Sequence, residues 1–439
     1  VKTKLLGSIR NFSHYLDMYI NRDNKEYVDN KCMISKLQAV EYAKKYDLPL
    51  VDWINEIPEK YFNDIITNKI KDISFTFIEP LSVTTNLSYK PNILNQDVTL
   101  FRNLAVSESA YQYIEKINYK AYKNIEMVIN SQQKLLNKKL QEEKHINING
   151  QYVSRAWIKF FELLSDIQLL KPYKDEVKVF HMCEAPGNFI NSMEYFIKTK
   201  TKIKKYTWMA QSLEASLADF YDTYQFIKKT KNQWDLGPKK TGDILDPVNQ
   251  QYYMEKYKDV DLLISDCGEK WTGEEIPDHE NLSIYELYYA LLIPKVGGSF
   301  VIKSFAANDN RLYISLLAII CEKYETVKVF KSNTNFWSPE VYIIGQNKKN
   351  ISDKELKVLK ECLNNLNQKK DNKYPIEKIP EKFLDEYNKI MYKVITFAAD
   401  IKKFFVFLSL NQELFSKNKD NINKIIDQKN KEWVNKYII

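Results

Sequence analysis

The sequence predicts a doubly wound α/β domain with a mostly parallel sheet, extended at both ends by helical regions. Two observations predict it. Six short β-branched or aromatic runs alternate with helical patterns between residues 177 and 345, and the flanking stretches carry helical patterns without such runs. At 44% apolar and 28% charged, the 439 residues suffice for that core and are too apolar for a disordered chain.

Residues 1–150 read as helices and loops, with scattered apolar positions such as Ile34, Leu37, Val40, Tyr42 and Ala43. Within them Ile73–Asn92 is rich in Thr, Phe, Val and Tyr and interrupted by Pro80 and Pro91, which suits a short edge strand or a long ordered loop. Ser131–Lys144 is helical by composition and ends at an Asn149-Gly150 turn, where the boundary is placed. The α/β domain then occupies 151–346. Its expected strands are Val177–Cys183, Tyr206–Ala210, Asp261–Ser265, Phe300–Lys303, Thr326–Phe330 and Val341–Gly345, the last antiparallel. Helices are expected near Phe189–Lys198, Ser283–Leu292 and Leu312–Tyr324. After Gly345 the strands stop. In the helical region 347–439, Ser352-Asp353-Lys354-Glu355 forms a capping box opening a helix with Leu356, Leu359, Leu363 and Leu366 on one face.

Composition narrows function without naming it. Lys+Arg 65 against Asp+Glu 57 gives +8, which permits an anionic partner. The five cysteines (Cys32, Cys183, Cys267, Cys321, Cys362) are scattered and odd in number, so free thiols in a reducing compartment are expected. The four histidines form no H-x-x-x-H pair, and no metal site is expected. No run approaches the roughly 18 uncharged apolar residues of a membrane span.

Three strand ends carry candidate chemistry. The first strand runs into Glu184-Ala185-Pro186-Gly187-Asn188-Phe189 and a helix, a strand–tight turn–helix geometry that cradles cofactors. One glycine stands where dinucleotide enzymes place three, so a cofactor without phosphates, S-adenosylmethionine, fits better. Asp243 and Ile244 lie in a loop on the same side, where Asp243 is placed to accept a hydrogen bond from an adenine amino group. Further on, one strand ends at Asp266 and the next at Lys303, while Glu340 opens the last; each step spans 37 residues. A lysine ending an apolar strand is costly, and burial is expected to lower its pKa.

These motifs resemble the FtsJ-like (RrmJ-like) ribose 2′-O-methyltransferases, which include mRNA cap-1 enzymes. The resemblance implies a Rossmann-like methyltransferase sheet and a Lys-Asp-Lys-Glu tetrad. Ser154-Arg155-Ala156-Trp157-Ile158-Lys159 resembles the family's helical S-R-A-x-x-K element, so Lys159, Asp266, Lys303 and Glu340 match the tetrad. Two departures stand out: Asn188 replaces the family's second glycine, and Gln211, followed by Ser212 and Leu213, stands where an acidic residue often meets the cofactor ribose. The resemblance implies that Lys303 is a general base or oxyanion stabiliser for a ribose 2′-hydroxyl, with Lys159 adding positive charge and the two carboxylates orienting the lysines.

Substrate is read from the borders of the cleft and from size. Trp271 within Glu269–Glu275 is a candidate cap-stacking aromatic, and Asn308–Arg311 borders the same cleft. Chain length beyond a minimal catalytic domain favours capped mRNA over rRNA or tRNA, and other capping subunits are candidate partners. A noncatalytic RNA-binding scaffold is the alternative of a different class. The Lys/Asn/Ile/Tyr-heavy usage points to a large DNA virus and so to the host cytoplasm or the virion as the location, with the nucleus also open.

Overall fold

The computed structural model describes residues 77–92, 153–214, 225–268, 279–306, 308, 310–335, 338–368, 370, 373–410 and 412–438. In chain order the elements are β1 (Phe77–Leu81), β2 (Tyr89–Asn92), α1 (Arg155–Ile167), β3 (Glu176–Met182), α2 (Asn188–Lys200), β4 (Lys205–Ala210), α3 (Phe226–Lys229), α4 (Pro247–Lys256) and β5 (Leu262–Ser265). There follow α5 (His279–Leu292), β6 (Ser299–Phe305), α6 (Arg311–Lys323), β7 (Tyr324–Lys331), β8 (Glu340–Lys348), α7 (Asp353–Asn367), β9 (Tyr374–Ile376), α8 (Glu381–Leu410), α9 (Gln412–Lys417) and α10 (Lys419–Tyr437).

Seven strands form one sheet in the order β1-β7-β8-β6-β5-β3-β4. β4, β3, β5 and β6 are mutually parallel, and β8 runs antiparallel to both β6 and β7. All six expected strands are present, and the Ile73–Asn92 stretch supplies an edge strand, β1, antiparallel to β7. The expectation that strands stop after Gly345 is corrected: β8 continues to Lys348, and β9 pairs with β2 in a separate two-stranded sheet. β9 is only three residues long and holds a proline, too short for a period-2 pattern to declare it.

Both faces of the sheet are covered, which explains why its strands read as continuous apolar runs. Leu263, Phe300, Ile302 and Ile343 pack on one side with residues of α5, α6 and α8. Leu262, Ile264, Val301, Tyr342 and Ile344 pack on the other, with α1, α2 and Trp433 of α10. The capping box at Ser352 forms as expected, and Leu359 and Leu363 are buried. Most of 1–150, including Ser131–Lys144, lies outside the described residues.

The chain passes from β3 to β4 on one side and returns to β5 on the other. A crevice therefore opens at the carboxyl ends of β3 and β5, the place where doubly wound sheets collect ligands.

Candidate active site

Three loops meet at that crevice, and backbone bonds hold them to one another. Glu184 N–H donates to the Gln211 carbonyl at 3.1 Å and Glu214 N–H to that of Thr241 at 2.8 Å. The Gln211 side-chain amide joins all three: its Oε1 accepts from Cys183 N–H at 3.0 Å, and its Nε2 donates to the Gly242 carbonyl. With both ends engaged and 1% exposure, Gln211 is a clamp between loops rather than a group presented to a ligand.

Glu184 also turns inward. Its Oε1 accepts from the Phe189 and Ile190 amides at 2.8 and 3.2 Å, satisfying two donors that a helix start leaves unpaired. Gly187 precedes α2 with φ +104, and a Cβ there would sit 2.4 Å from Phe226, so only glycine fits. Ala185, Pro186 and Asn188 remain half-buried along the crevice, whereas Phe189 is buried against Phe160, ring centroids 4.2 Å apart. Ser212 is buried and Leu213 is 40% exposed at the mouth. Asp243 is half-buried and accepts from Leu245 N–H at 2.8 Å, while Ile244 is buried and its carbonyl takes the Tyr289 hydroxyl. The predicted cofactor residues thus gather at one crevice, though Gln211, Glu184 and Ile244 serve its frame.

Beside the crevice the four tetrad candidates form two ion pairs. Lys159 Nζ lies 2.7 Å from Glu340 Oε1, and Lys303 Nζ lies 3.3 Å from Asp266 Oδ1 and 3.0 Å from the Asp266 carbonyl. Strand register explains the convergence. Across β6 and β8, Lys303 pairs with Tyr342 and Phe305 with Glu340, so Lys303, Tyr342 and Glu340 share a face by the two-residue period. Lys159 reaches it from α1, whose start is fixed by the Ser154 side chain accepting from Trp157 N–H at 3.1 Å. Tyr342 joins the pairs: its hydroxyl lies 3.2 Å from Asp266 Oδ1 and 3.4 Å from Glu340 Oε1.

The charges set one another's ionisation. Burial pushes the Glu340 carboxyl up, but Lys159 and Lys303 outweigh it and hold it at about 2. For Lys303 the expected lowering is corrected. Burial does pull it down, yet Asp266, Glu340 and Glu286 together raise it above its ordinary value, so it carries its proton in the free protein. Its apolar strand was legible, but the three carboxylates facing it belong to other elements. Gly268 leaves room for this ammonium: a Cβ at that position would lie 2.9 Å from Lys303 Nζ.

A second correction concerns the cysteines. Cys183 and Cys267, 84 residues apart, form a disulfide with Cα atoms 4.8 Å apart, while Cys321 and Cys362 are buried thiols. Adjacent parallel strands bring the two together, a proximity that sequence spacing does not reveal. Asn310 caps α6 through the Leu312 and Tyr313 amides, and the Asn308 carbonyl accepts from Tyr387, so both are framework groups. Asp309 and the Trp271 loop lie outside the described residues. Among the described residues no His, Cys, Asp and Glu group suits a metal ion, and no helix is long and apolar enough to cross a membrane.

Three further residues shape the site without having been anticipated. Tyr342 had a signal, two positions after Glu340 on one strand. Lys331 had one too, as a second lysine ending an apolar strand; its buried ammonium donates to the carbonyls of Asn335, Ser338 and Glu340. Glu286, buried beneath the site on α5, had none.

A doubly wound sheet with an antiparallel β8, a crevice at its switch point and a lysine–carboxylate cluster alongside define a Rossmann-like fold of the kind methyltransferases use. Comparison with known families agrees: residues 152–348 match the model of the FtsJ-like methyltransferases, so this part of the chain is similar to that family. The chain is 26% identical over 312 residues to an uncharacterized protein of Acanthamoeba polyphaga mimivirus, covering 68% of this chain and 39% of that one. It is 28% identical over 217 residues to cap-specific mRNA (nucleoside-2′-O-)-methyltransferase 2 of Danio rerio, covering 45% and 28%. A probable methyltransferase of African swine fever virus is 25% identical over 249 residues, covering 51% and 56%. The matches thus span between 28% and 56% of these relatives' own lengths.

Proposed function

We propose that the chain transfers a methyl group from S-adenosylmethionine to a ribose 2′-hydroxyl at the capped 5′ end of mRNA. The observation that carries this reading is the pairing of Lys159 with Glu340 and Lys303 with Asp266, linked through Tyr342. When bound, S-adenosylmethionine supplies an electrophilic methyl on a sulfonium.

The crevice fits such a group. It offers no glycine-rich phosphate loop, but it has an exposed leucine at its mouth (Leu213), a half-buried carboxylate (Asp243) and the turn 185–188, whose Gly187 leaves no space for a Cβ. Lys303, charged and only 12% exposed, donates to the 2′-oxygen and stabilises negative charge as that oxygen attacks; the methyl's bond to sulfur would break to leave a neutral thioether, and the 2′-hydroxyl proton would pass to solvent. Lys159 adds a second positive charge, and Asp266 and Glu340 keep both ammonium groups in place. Of the two roles first considered for Lys303, its protonated state favours oxyanion stabiliser over base. Holding the oxygen in line contributes on the order of 7–11 kcal/mol at best.

The capped substrate is inferred from the named function of the zebrafish relative, and the viral relatives support action in an infected cell's cytoplasm. Residues 151–346 are taken as the catalytic unit, flanked by 1–150, whose β1 joins its sheet, and by 347–439, whose described elements are mostly helices. The test is transfer from labelled S-adenosylmethionine to matched RNAs bearing a 7-methylguanosine cap, an unmethylated cap or a 5′-triphosphate, with Lys303→Ala as control. Transfer confined to capped RNA is expected. Cap-indifferent transfer overturns the substrate, and no transfer by the folded protein favours a noncatalytic scaffold.

A further inference from the structure

We propose that Glu286 is a positioning residue for the Asp266–Lys303 pair: it fixes the strand end that carries Asp266 and sets a third carboxyl group against Lys303. The proposal rests on the reading of Lys303 as the group that meets the 2′-oxygen.

Glu286 sits on α5, 1% exposed, a poor place for a carboxylate unless something there uses it. Its Oε1 accepts from Ser265 Oγ at 2.6 Å, and the Cys267 amide also bonds to it. It therefore grips the residues on either side of Asp266. The same Ser265 hydroxyl lies 3.2 Å from Cys267 Sγ, whose disulfide ties this segment to the turn before Glu184. Removing the carboxylate would leave a buried hydroxyl and a buried amide without their acceptor, on the segment that must present Asp266.

The charges around it complete the argument. Facing Glu286 are Lys303 on β6, the Asp266 carboxylate after β5, and Tyr313 on α6, whose hydroxyl bonds Ser304 at 2.6 Å. Among these groups Lys303 carries the positive charge. Burial pushes the Glu286 carboxyl up to about 8, with Ser265 and Lys303 pulling the other way. Below that pH it is mainly neutral; above it, a third carboxylate joins Asp266 and Glu340 in holding the Lys303 proton. A buried acid that titrates within the working range and faces the reacting lysine couples pH to the field around that lysine and to how tightly its proton is held.

Two measurements test this on the full chain. Competitive acetylation with acetic anhydride across pH, read by mass spectrometry of the Lys303 peptide, reports the midpoint of Lys303 without cofactor, RNA or activity. Glu286→Gln keeps the shape and removes the charge, so the midpoint is expected to fall, raising Lys303 reactivity about threefold or more at fixed pH, while Glu286→Asp restores it. An unchanged midpoint in folded Glu286→Gln overturns the proposal. In parallel, the pH profile of kcat for the wild type is expected to inflect near pH 8 and to lose that inflection in Glu286→Gln, with KM for RNA within about twofold. Should Glu286→Gln not fold, Ser265→Ala decides: losing the hydroxyl that stabilises the ionised form must move the inflection up, and an unmoved inflection overturns the proposal. If the wild type transfers no methyl to any RNA, the proposed function fails while the Lys303 midpoint still judges Glu286; should Glu286→Gln also fail to fold, the wild-type acetylation curve decides, because ionisation of Glu286 must bend it near pH 8, and an unbent curve overturns the proposal.

Discussion

The ammonium of Lys331 donates to the main-chain carbonyl of Glu340 at 2.8 Å, so one buried lysine fixes the backbone from which a tetrad carboxylate projects. It bonds the carbonyls of Asn335 and Ser338 as well, closing the turn between β7 and β8 around a single charge. Lys331→Met would keep the stem and abandon those carbonyls. Unsatisfied buried acceptors cost about 1–3 kcal/mol each, and no longer burying a charge offsets part of that for the three carbonyls, so stability in denaturant should fall by roughly 2–4 kcal/mol. Methyl transfer should fall further than stability alone explains, because the backbone of Glu340 is released. Full activity in a destabilised Lys331→Met protein would assign the lysine to folding only.

Tyr342→Phe isolates the hydroxyl that links the two ion pairs. The ring is 1% exposed, sits tilted against Phe189 and lies 5.7 Å from Lys159 Nζ; phenylalanine keeps those contacts. Burial and the neighbouring Asp266 and Glu340 hold the phenol well above its ordinary pKa, so it is a neutral donor shared between them. Its loss should change stability by about 1 kcal/mol and lower kcat on the order of tenfold or more, with the KM for cofactor little moved. Equal kcat in the two proteins would show that the pairs act independently.

What was legible in the sequence followed the length scale of each signal. Six strands and the order Asp266, Lys303, Glu340 were readable because strand ends and charged residues are local features with regular spacing, whereas Lys159 came only from the resemblance to the family's S-R-A-x-x-K element. The charge state of Lys303 was not, since Asp266, Glu340 and Glu286 reach it from β5, β8 and α5. Gln211 looked like a ligand group because its type and position were visible, while its two backbone partners, Cys183 and Gly242, lie 28 and 31 residues away. Cys183–Cys267 failed for the same reason, as only the pairing of β3 with β5 makes the two cysteines neighbours.

That disulfide makes its own prediction. It closes an 84-residue separation and joins the turn before Glu184 to the segment after Asp266. Loop-closure entropy alone would give such a link about 4.6 kcal/mol, of which disulfides typically deliver about 2–4. Peptide mapping without reductant should find the Cys183–Cys267 crosslink, and Cys183→Ser/Cys267→Ser should lower Tm by several degrees, roughly 2–4 °C per kcal/mol. Cofactor affinity, measured by calorimetry, should weaken as well, since the bridge ties together two walls of the crevice. An unchanged Tm and affinity would mean that the parallel pairing of β3 and β5 suffices without it.

Acid should dissolve the tetrad from the Glu340 side. Its carboxyl is held at about 2 in the folded protein against an ordinary 4.5, because Lys159 and Lys303 outweigh its burial. A depressed carboxyl contributes stability that is fully present above its unfolded value and is lost as pH falls toward the folded one. The window is therefore about pH 4.5 down to 2. Glu286 has the opposite sign: raised to about 8, it favours folding most below 4.5 and loses that contribution as pH climbs through 8. Thermal unfolding followed by circular dichroism should thus give Glu340→Gln a flatter Tm–pH slope than wild type between pH 4.5 and 3, and Glu286→Gln a flatter slope between pH 5 and 8. Both substitutions remove one carboxylate from the same cluster, so a common loss of packing would lower Tm evenly at every pH. Opposite windows for the two variants can arise only if Lys159 and Lys303 stabilise one carboxylate as an ion while burial disfavours ionisation of the other.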